Sequence, residues 1–92
     1  MAVLRLVRRV VAEDVYDRVV ADMQLHSEHP LGLIMHGASR VDGEAQIAQV
    51  WDSYEYAERF EKEILGPALR AAGIEEDDAQ VTILELHDLV TP

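Results

Sequence analysis

The chain is expected to fold as one small α+β domain, residues 1–92, with the order β-α-β-β-α-β. Three observations carry that expectation. The first is a pair of extended runs joined by Asp42-Gly43, and the second is two segments with apolar residues at helical spacing. The third is an apolar-rich run at each end of the chain that reads as strand.

The opening run places Val3, Leu4, Leu6, Val7, Val10 and Val11 among arginines, a β-branched and apolar pattern that predicts a strand over residues 2–10. Glu13 and Asp14 favour a helix start through their charge at the positive end of the dipole. Tyr16, Val19, Val20 and Met23 then recur on one helical face, so the helix is expected to run to about His26. Pro30 and Gly32 close the connection. Leu33 to Val41 and Glu44 to Asp52 follow as strands, and Asp42-Gly43 suits the positive φ angles of a two-residue type I′ turn.

That turn sets a register in which Arg40 faces Ala45, Ala38 faces Ile47, His36 faces Gln49 and Ile34 faces Trp51. Neither face of the hairpin is polar throughout, which predicts cover on both sides. The chain's own helices would supply one cover and the sheet of a second copy the other, making a homodimer. Ser53 can cap a second helix carrying the stripe Tyr56, Ala57, Phe60 and Ile64. Gly66-Pro67 is expected to interrupt it before a short helix through Ala72, and Val81 to Leu89 is expected as the last strand.

Composition bounds the function. With 92 residues, the chain buries only about 60 to 65% of its unfolded surface, so shared stability with a partner is expected. The formal charge is −10; Arg5, Arg8 and Arg9 give the first eleven residues +3 and leave −13 for the rest. That balance argues against nucleic acid and anionic membranes as partners, with a basic N-terminal edge too small for a groove-binding footprint. The absence of cysteine excludes disulfides, thiolate catalysis and Cys-ligated zinc. The opening run from Val3 to Val11 is broken by three arginines and too short to span a bilayer, so it reads as neither signal peptide nor membrane span and a cytoplasmic location is expected. No serine sits in a nucleophile elbow and no glycine-rich phosphate loop follows a strand.

The strongest chemical candidate is the hairpin face holding His36, Gln49 and Trp51. An imidazole in a half-buried pocket can act as a base near neutral pH, with Gln49 holding its tautomer and Trp51 stacking on a flat substrate. The same residues also suit a plain structural role, His36 and Gln49 bonding each other in a dimer interface while Trp51 fills the core. Tyr56, at the start of the second helix, is placed either to reach a substrate oxygen or to close the core edge. His87 could join His36 only if the strand order puts the two together. His26, Ser27, Glu28 and His29 lie close in sequence, but the loop leaves their spacing unconstrained and no metal site is expected.

The span from Leu31 to Ile74, followed by Val81 to Val90, resembles the dimeric α+β barrel superfamily of antibiotic biosynthesis monooxygenase-like domains. The hairpin running into Val50-Trp51-Asp52-Ser53, the helix with Phe60, and Leu65-Gly66-Pro67-Ala68-Leu69 carry the likeness and are similar to small actinobacterial members of unassigned function. The resemblance implies a ferredoxin-like four-stranded antiparallel sheet whose open face meets a second subunit, and a small pocket between sheet and helices in each monomer. Some relatives oxidise aromatic polyketides without metal or flavin and some degrade haem. The haem-degrading branch has a tryptophan and then a histidine along the second helix, where Phe60 and Arg70 stand here, so haem chemistry is not expected. The polyketide oxygenases tend to offer an asparagine near the first strand, and this chain contains none.

Two functions from different classes follow. One is a cofactor-free monooxygenase or isomerase acting on an aromatic or polyketide-like molecule, with His36 as base and Gln49, Trp51, Tyr56 and His87 as substrate contacts. The other is a non-catalytic dimer that binds a small hydrophobic ligand or serves as an interaction module.

Overall fold

Alternation along the first strand decides which way the sheet faces. In β1 (Val3–Val10), Val3, Arg5, Val7 and Arg9 are buried while Leu6, Arg8 and Val10 are exposed, the period-two signature of a strand covered on one side. The structure, a computed structural model, describes residues 1–25, 28–74 and 79–91. Its elements continue with α1 (Glu13–Met23), β2 (Leu33–Val41) and β3 (Glu44–Trp51). They end with α2 (Tyr54–Phe60), a π-helical turn (Glu61–Leu65), α3 (Gly66–Ala71) and β4 (Ala79–Glu85).

The four strands form one sheet in the order β2-β3-β1-β4, with every neighbour antiparallel. This is the expected ferredoxin-like arrangement, with the helices packed on one face. Asp42 and Gly43 take φ values of 51° and 80°, as a type I′ turn requires. The register follows for His36 with Gln49, Ala38 with Ile47 and Arg40 with Ala45. It fails at the far end, where Leu33 rather than Ile34 pairs with Trp51. A bulge at Ile34 absorbs one residue and turns Leu33 onto the helix side, against the core.

Three boundaries also move. α1 stops at Met23, short of His26, because Gln24 turns left-handed at φ 55° and donates its N–H back to the Ala21 carbonyl. β4 starts at Ala79 and ends at Glu85, whose partner on β1 is Val3. Leu86 donates one last bond to the Ala2 carbonyl, and no further strand remains beside it to pair with. The expected extension to Leu89 is thereby lost.

Gly66-Pro67 does not break the second helix. Ser53 caps it by accepting from the Tyr56 N–H, and the backbone stays right-handed through α2, the π turn and α3. Pro67 has no N–H to donate to the Glu63 carbonyl, and its ring crowds that carbonyl. The chain accommodates both by widening one turn, in which the Gly66 N–H reaches the Glu61 carbonyl, five residues back.

The helix-facing core is built from Val3, Leu25, Trp51, Ala57 and Phe60, with a second cluster of Val19, Ala68 and Leu69. On the opposite face Leu6, Val10, Met35, Val41 and Leu84 remain exposed, so a single chain covers only one side of its sheet. Among the described residues, no helix is long and apolar enough to cross a membrane. The acidic run at residues 75–78 lies outside the described residues.

Candidate functional site

One level of the sheet carries the chemistry. Arg5 on β1 pairs with Gln49 on β3, Gln49 pairs with His36 on β2, and Ile83 on β4 completes the row. Each of these side chains points toward the helices because each sits at an inward position of its strand. Gln49 is 2% exposed and Arg5 4%, so both polar groups have left water and need partners inside the protein.

They find them in one connected network. The Gln49 Oε1 atom accepts from Arg5 Nη1 at 3.1 Å and from Trp51 Nε1 at 3.1 Å. Arg5 Nε donates to Glu61 Oε1 at 2.7 Å, the short distance of a charge-assisted bond. Two donors on its oxygen fix which end of the Gln49 amide is which. Its Nε2 group, 3.0 Å from His36 Nδ1, must therefore be the donor in that contact.

This assignment determines what His36 can do. Its Nδ1 has to present a lone pair to Gln49, which leaves the ring proton on Nε2. A second proton on Nδ1 would set donor against donor. In this arrangement His36 is a neutral hydrogen-bond donor, and it becomes a base only by releasing Gln49.

The row opens on a cavity of about 40 Å³ between the sheet and α1, the π turn and α3, lined by Arg5, Arg9, Tyr16, Met23, His36 and Leu69 among others. That is room for roughly three waters, far below the roughly 300–1,000 Å³ of a drug-sized ligand site. An aromatic ring would enter only if flexible walls such as Met23 gave way. A wider cleft of about 420 Å³ adjoins it, shares Arg5, Arg9, Leu65 and Leu69, and is also lined by Glu61, Lys62 and Arg70.

A second row lies four residues further along β1, β3 and β2. Ala45 sits between Arg9 and Arg40, and its small side chain leaves room for both long ones. Arg40 donates to the Val11 carbonyl at 2.6 Å. Burial lifts the Tyr16 phenol above its ordinary range, Asp17 adds to that, and Arg40 opposes it. Tyr16 therefore stays protonated at neutral pH and can donate to a ligand oxygen.

The residues singled out from sequence are not all brought together. His36 and Gln49 meet as expected from the hairpin register. Trp51 is wholly buried, with its ring 4.9 Å from Phe60, and has no face left for a substrate; it anchors Gln49 instead. Tyr56 lies away from the cavity, packed over Gly32, where a Cβ would fall 2.4 Å from its ring, and beneath Arg59. Gly32 also needs its φ of 87°. His87 is exposed beyond the end of β4, and the strand order sets β4 and β2 at opposite edges, so it does not join His36.

Sequence reading missed Arg5, Arg9 and Glu61. Arg5 and Arg9 share the parity of Val3 and Val7, so the alternation points them inward, whereas their charge alone suggests a basic edge. Glu61 carried no comparable signal. The described residues contain no group of three acidic or histidine side chains that could hold a metal, and the His26-Ser27 part of the loop cluster lies outside them.

No protein-family profile and no curated protein sequence matches the chain. Solved structures do match it. Rv0793 from Mycobacterium tuberculosis superposes with a TM-score of 0.74 at 13% identity, covering 99% of this chain and 100% of that one. SnoaB, a cofactor-independent oxygenase from Streptomyces nogalater, gives 0.68 at 16% identity over 99% and 98% of the two chains. A provisionally named antibiotic biosynthesis monooxygenase from Caulobacter crescentus gives 0.74 at 11% identity over 95% and 91%. The chain thus has the fold of the antibiotic biosynthesis monooxygenase-like domains.

The tautomer of His36 is open to direct test by long-range ¹H–¹⁵N NMR at neutral pH. Nδ1 is expected in the range of an unprotonated ring nitrogen and Nε2 in that of a protonated one, with Gln49→Leu removing the preference. A proton on Nδ1 would contradict the assignment.

Proposed function

We propose that the chain binds an aromatic or polyketide-like small molecule between its sheet and helices and acts on it as a cofactor-independent monooxygenase. The observation that carries this reading is the row of buried Arg5 and Gln49 with half-buried His36, opening on a cavity whose other walls are apolar apart from Arg9 and Tyr16, a few convergent polar groups in a hydrophobic wall. Likeness of fold to SnoaB supports the oxygenase part only as analogy.

Without a cofactor, the substrate itself must reduce oxygen. A methylene activated by neighbouring carbonyl or aryl groups loses a proton, the resulting anion passes electrons to O₂, and a peroxide forms at that carbon. Loss of water then leaves one oxygen atom as a new carbonyl and releases the other as water. Tyr16 and His36 are placed to donate to substrate oxygens. The proton would go to His36 only after its Nδ1 leaves Gln49. That same restraint favours a second reading, a non-catalytic ligand-binding dimer, because the resting site holds His36 as a donor and not as a base.

Oxygen uptake with an anthrone as probe separates the two. The oxygenase reading predicts one O₂ consumed per quinone formed, above the spontaneous rate, and a loss of about tenfold or more in His36→Phe, which removes the base. Thermal stabilisation by the anthrone with no added oxygen uptake would leave the binding reading in its place.

The dimer forms, in this proposal, through the uncovered sheet face. Leu6, Val10, Met35, Val41 and Leu84 give that face the apolar character a second copy would cover. Sedimentation is expected to give twice the chain mass, and Leu6→Glu to give monomer. Monomer alone for the unaltered chain at working concentrations would overturn the dimer.

A further inference from the structure

We infer that the ligand of this site carries an anionic group, a carboxylate or an equally acidic oxygen, and that this group docks on Arg5 and Arg9. The inference rests on the proposal above that the cavity takes a small aromatic molecule, and it adds the chemical class of that molecule.

The chain as a whole is strongly acidic, with a formal charge of −10, yet among the described residues two guanidinium groups and no carboxylate line its inner cavity. Arg5 and Arg9 are 4% and 8% exposed. Holding cations in the interior is costly, and apolar side chains of similar length would fill the same volume without that cost. Two of them on one strand face, both bordering the inner cavity and the outer cleft, therefore point to a use beyond packing. The outer cleft adds Arg70 and Lys62 beside Glu61, so an anion entering it passes two further cations on the way to the buried pair.

Glu61 shows how the exchange would work. Its carboxylate occupies Arg5 Nε from the π turn, at the wall of the outer cleft, and its side chain remains about one third exposed. Gln49 takes a hydrogen of Nη1 but carries no charge. An incoming carboxylate can replace Glu61 on Arg5 while Glu61 swings into water, so that one carboxylate substitutes for another and the buried cation is never left uncompensated. The ring of the ligand then lies on the apolar side of the cavity, toward Val19, Met23 and Leu69. Arg9 keeps interactions of its own within the chain, and the ligand would add to them.

Benzoate and benzamide, nearly equal in shape and different in charge, are the probes, followed by NMR of the arginine Nε–H and backbone amide signals. Benzoate is expected to bind at least about tenfold more tightly than benzamide, in line with the greater strength of hydrogen bonds between charged groups. The shifts should centre on Arg5, Arg9 and His36 and not on Lys62 or Arg59. Glu61→Gln, which removes the resident carboxylate and leaves both arginines in place, should tighten benzoate binding several-fold, and Arg9→Met should abolish the preference over benzamide. Equal binding of the two probes inside the cavity would overturn the anion inference and leave the small-molecule reading standing. Failure of both to enter would overturn the two together.

Discussion

The structure turns on one buried charge. Arg5 is the third residue of β1, at its second inward-facing position and against the π turn, with almost none of its surface in water. A guanidinium there is tolerated only if its hydrogens are used and its charge is opposed. Glu61 supplies the charge and Gln49 a second acceptor, and each commits a different part of the fold. Reaching Glu61 ties β1 to the π turn, whose widened geometry comes from Pro67. Reaching Gln49 ties β1 to β3 through side chains as well as through the ladder.

From Gln49 the constraint spreads. Its oxygen is held by Arg5 and Trp51, and Trp51 is held in turn by Phe60, so the amide has one orientation and His36 one tautomer. The candidate site is thus prepared as a set of donors: a guanidinium pair, a phenol that burial keeps protonated, and an imidazole N–H. Such a set suits oxygen atoms that carry or develop negative charge, which is what an acid-bearing substrate or an enolate intermediate presents. The cavity itself is small at rest, so entry requires its flexible walls to move.

Much of the architecture was legible because local rules and tertiary packing agreed. Asp42-Gly43 demanded a tight hairpin, and three of the four cross-strand pairs it implied are present. The fourth failed at Ile34, where a bulge answers to core packing around Trp51 that no turn rule encodes. Gly66-Pro67 suggests an interruption with a new short helix beginning at Pro67, and α3 does carry Pro67 in its first turn, but a π turn absorbs the missing N–H and joins α3 to α2 without a break. In the site, His36 and Gln49 were visible because they belong to one hairpin. Arg5 was not, since its role depends on β1 lying beside β3 and on Glu61 arriving from a helix fifty-six residues away. Trp51 and Tyr56 look like substrate contacts in one dimension and are core residues in three, sealed by Phe60 and by Gly32.

The dependence on Arg5 is best measured by a double-mutant cycle in urea with Arg5→Met and Glu61→Leu. Removing Glu61 alone strands the buried cation, while removing both leaves an apolar contact. The account predicts that the double variant is more stable than Glu61→Leu alone, with a coupling energy of about 1–2 kcal/mol given the partial exposure of Glu61. Strict additivity, to within about 0.5 kcal/mol, would contradict it and would mean that the ion pair does not organise the interior.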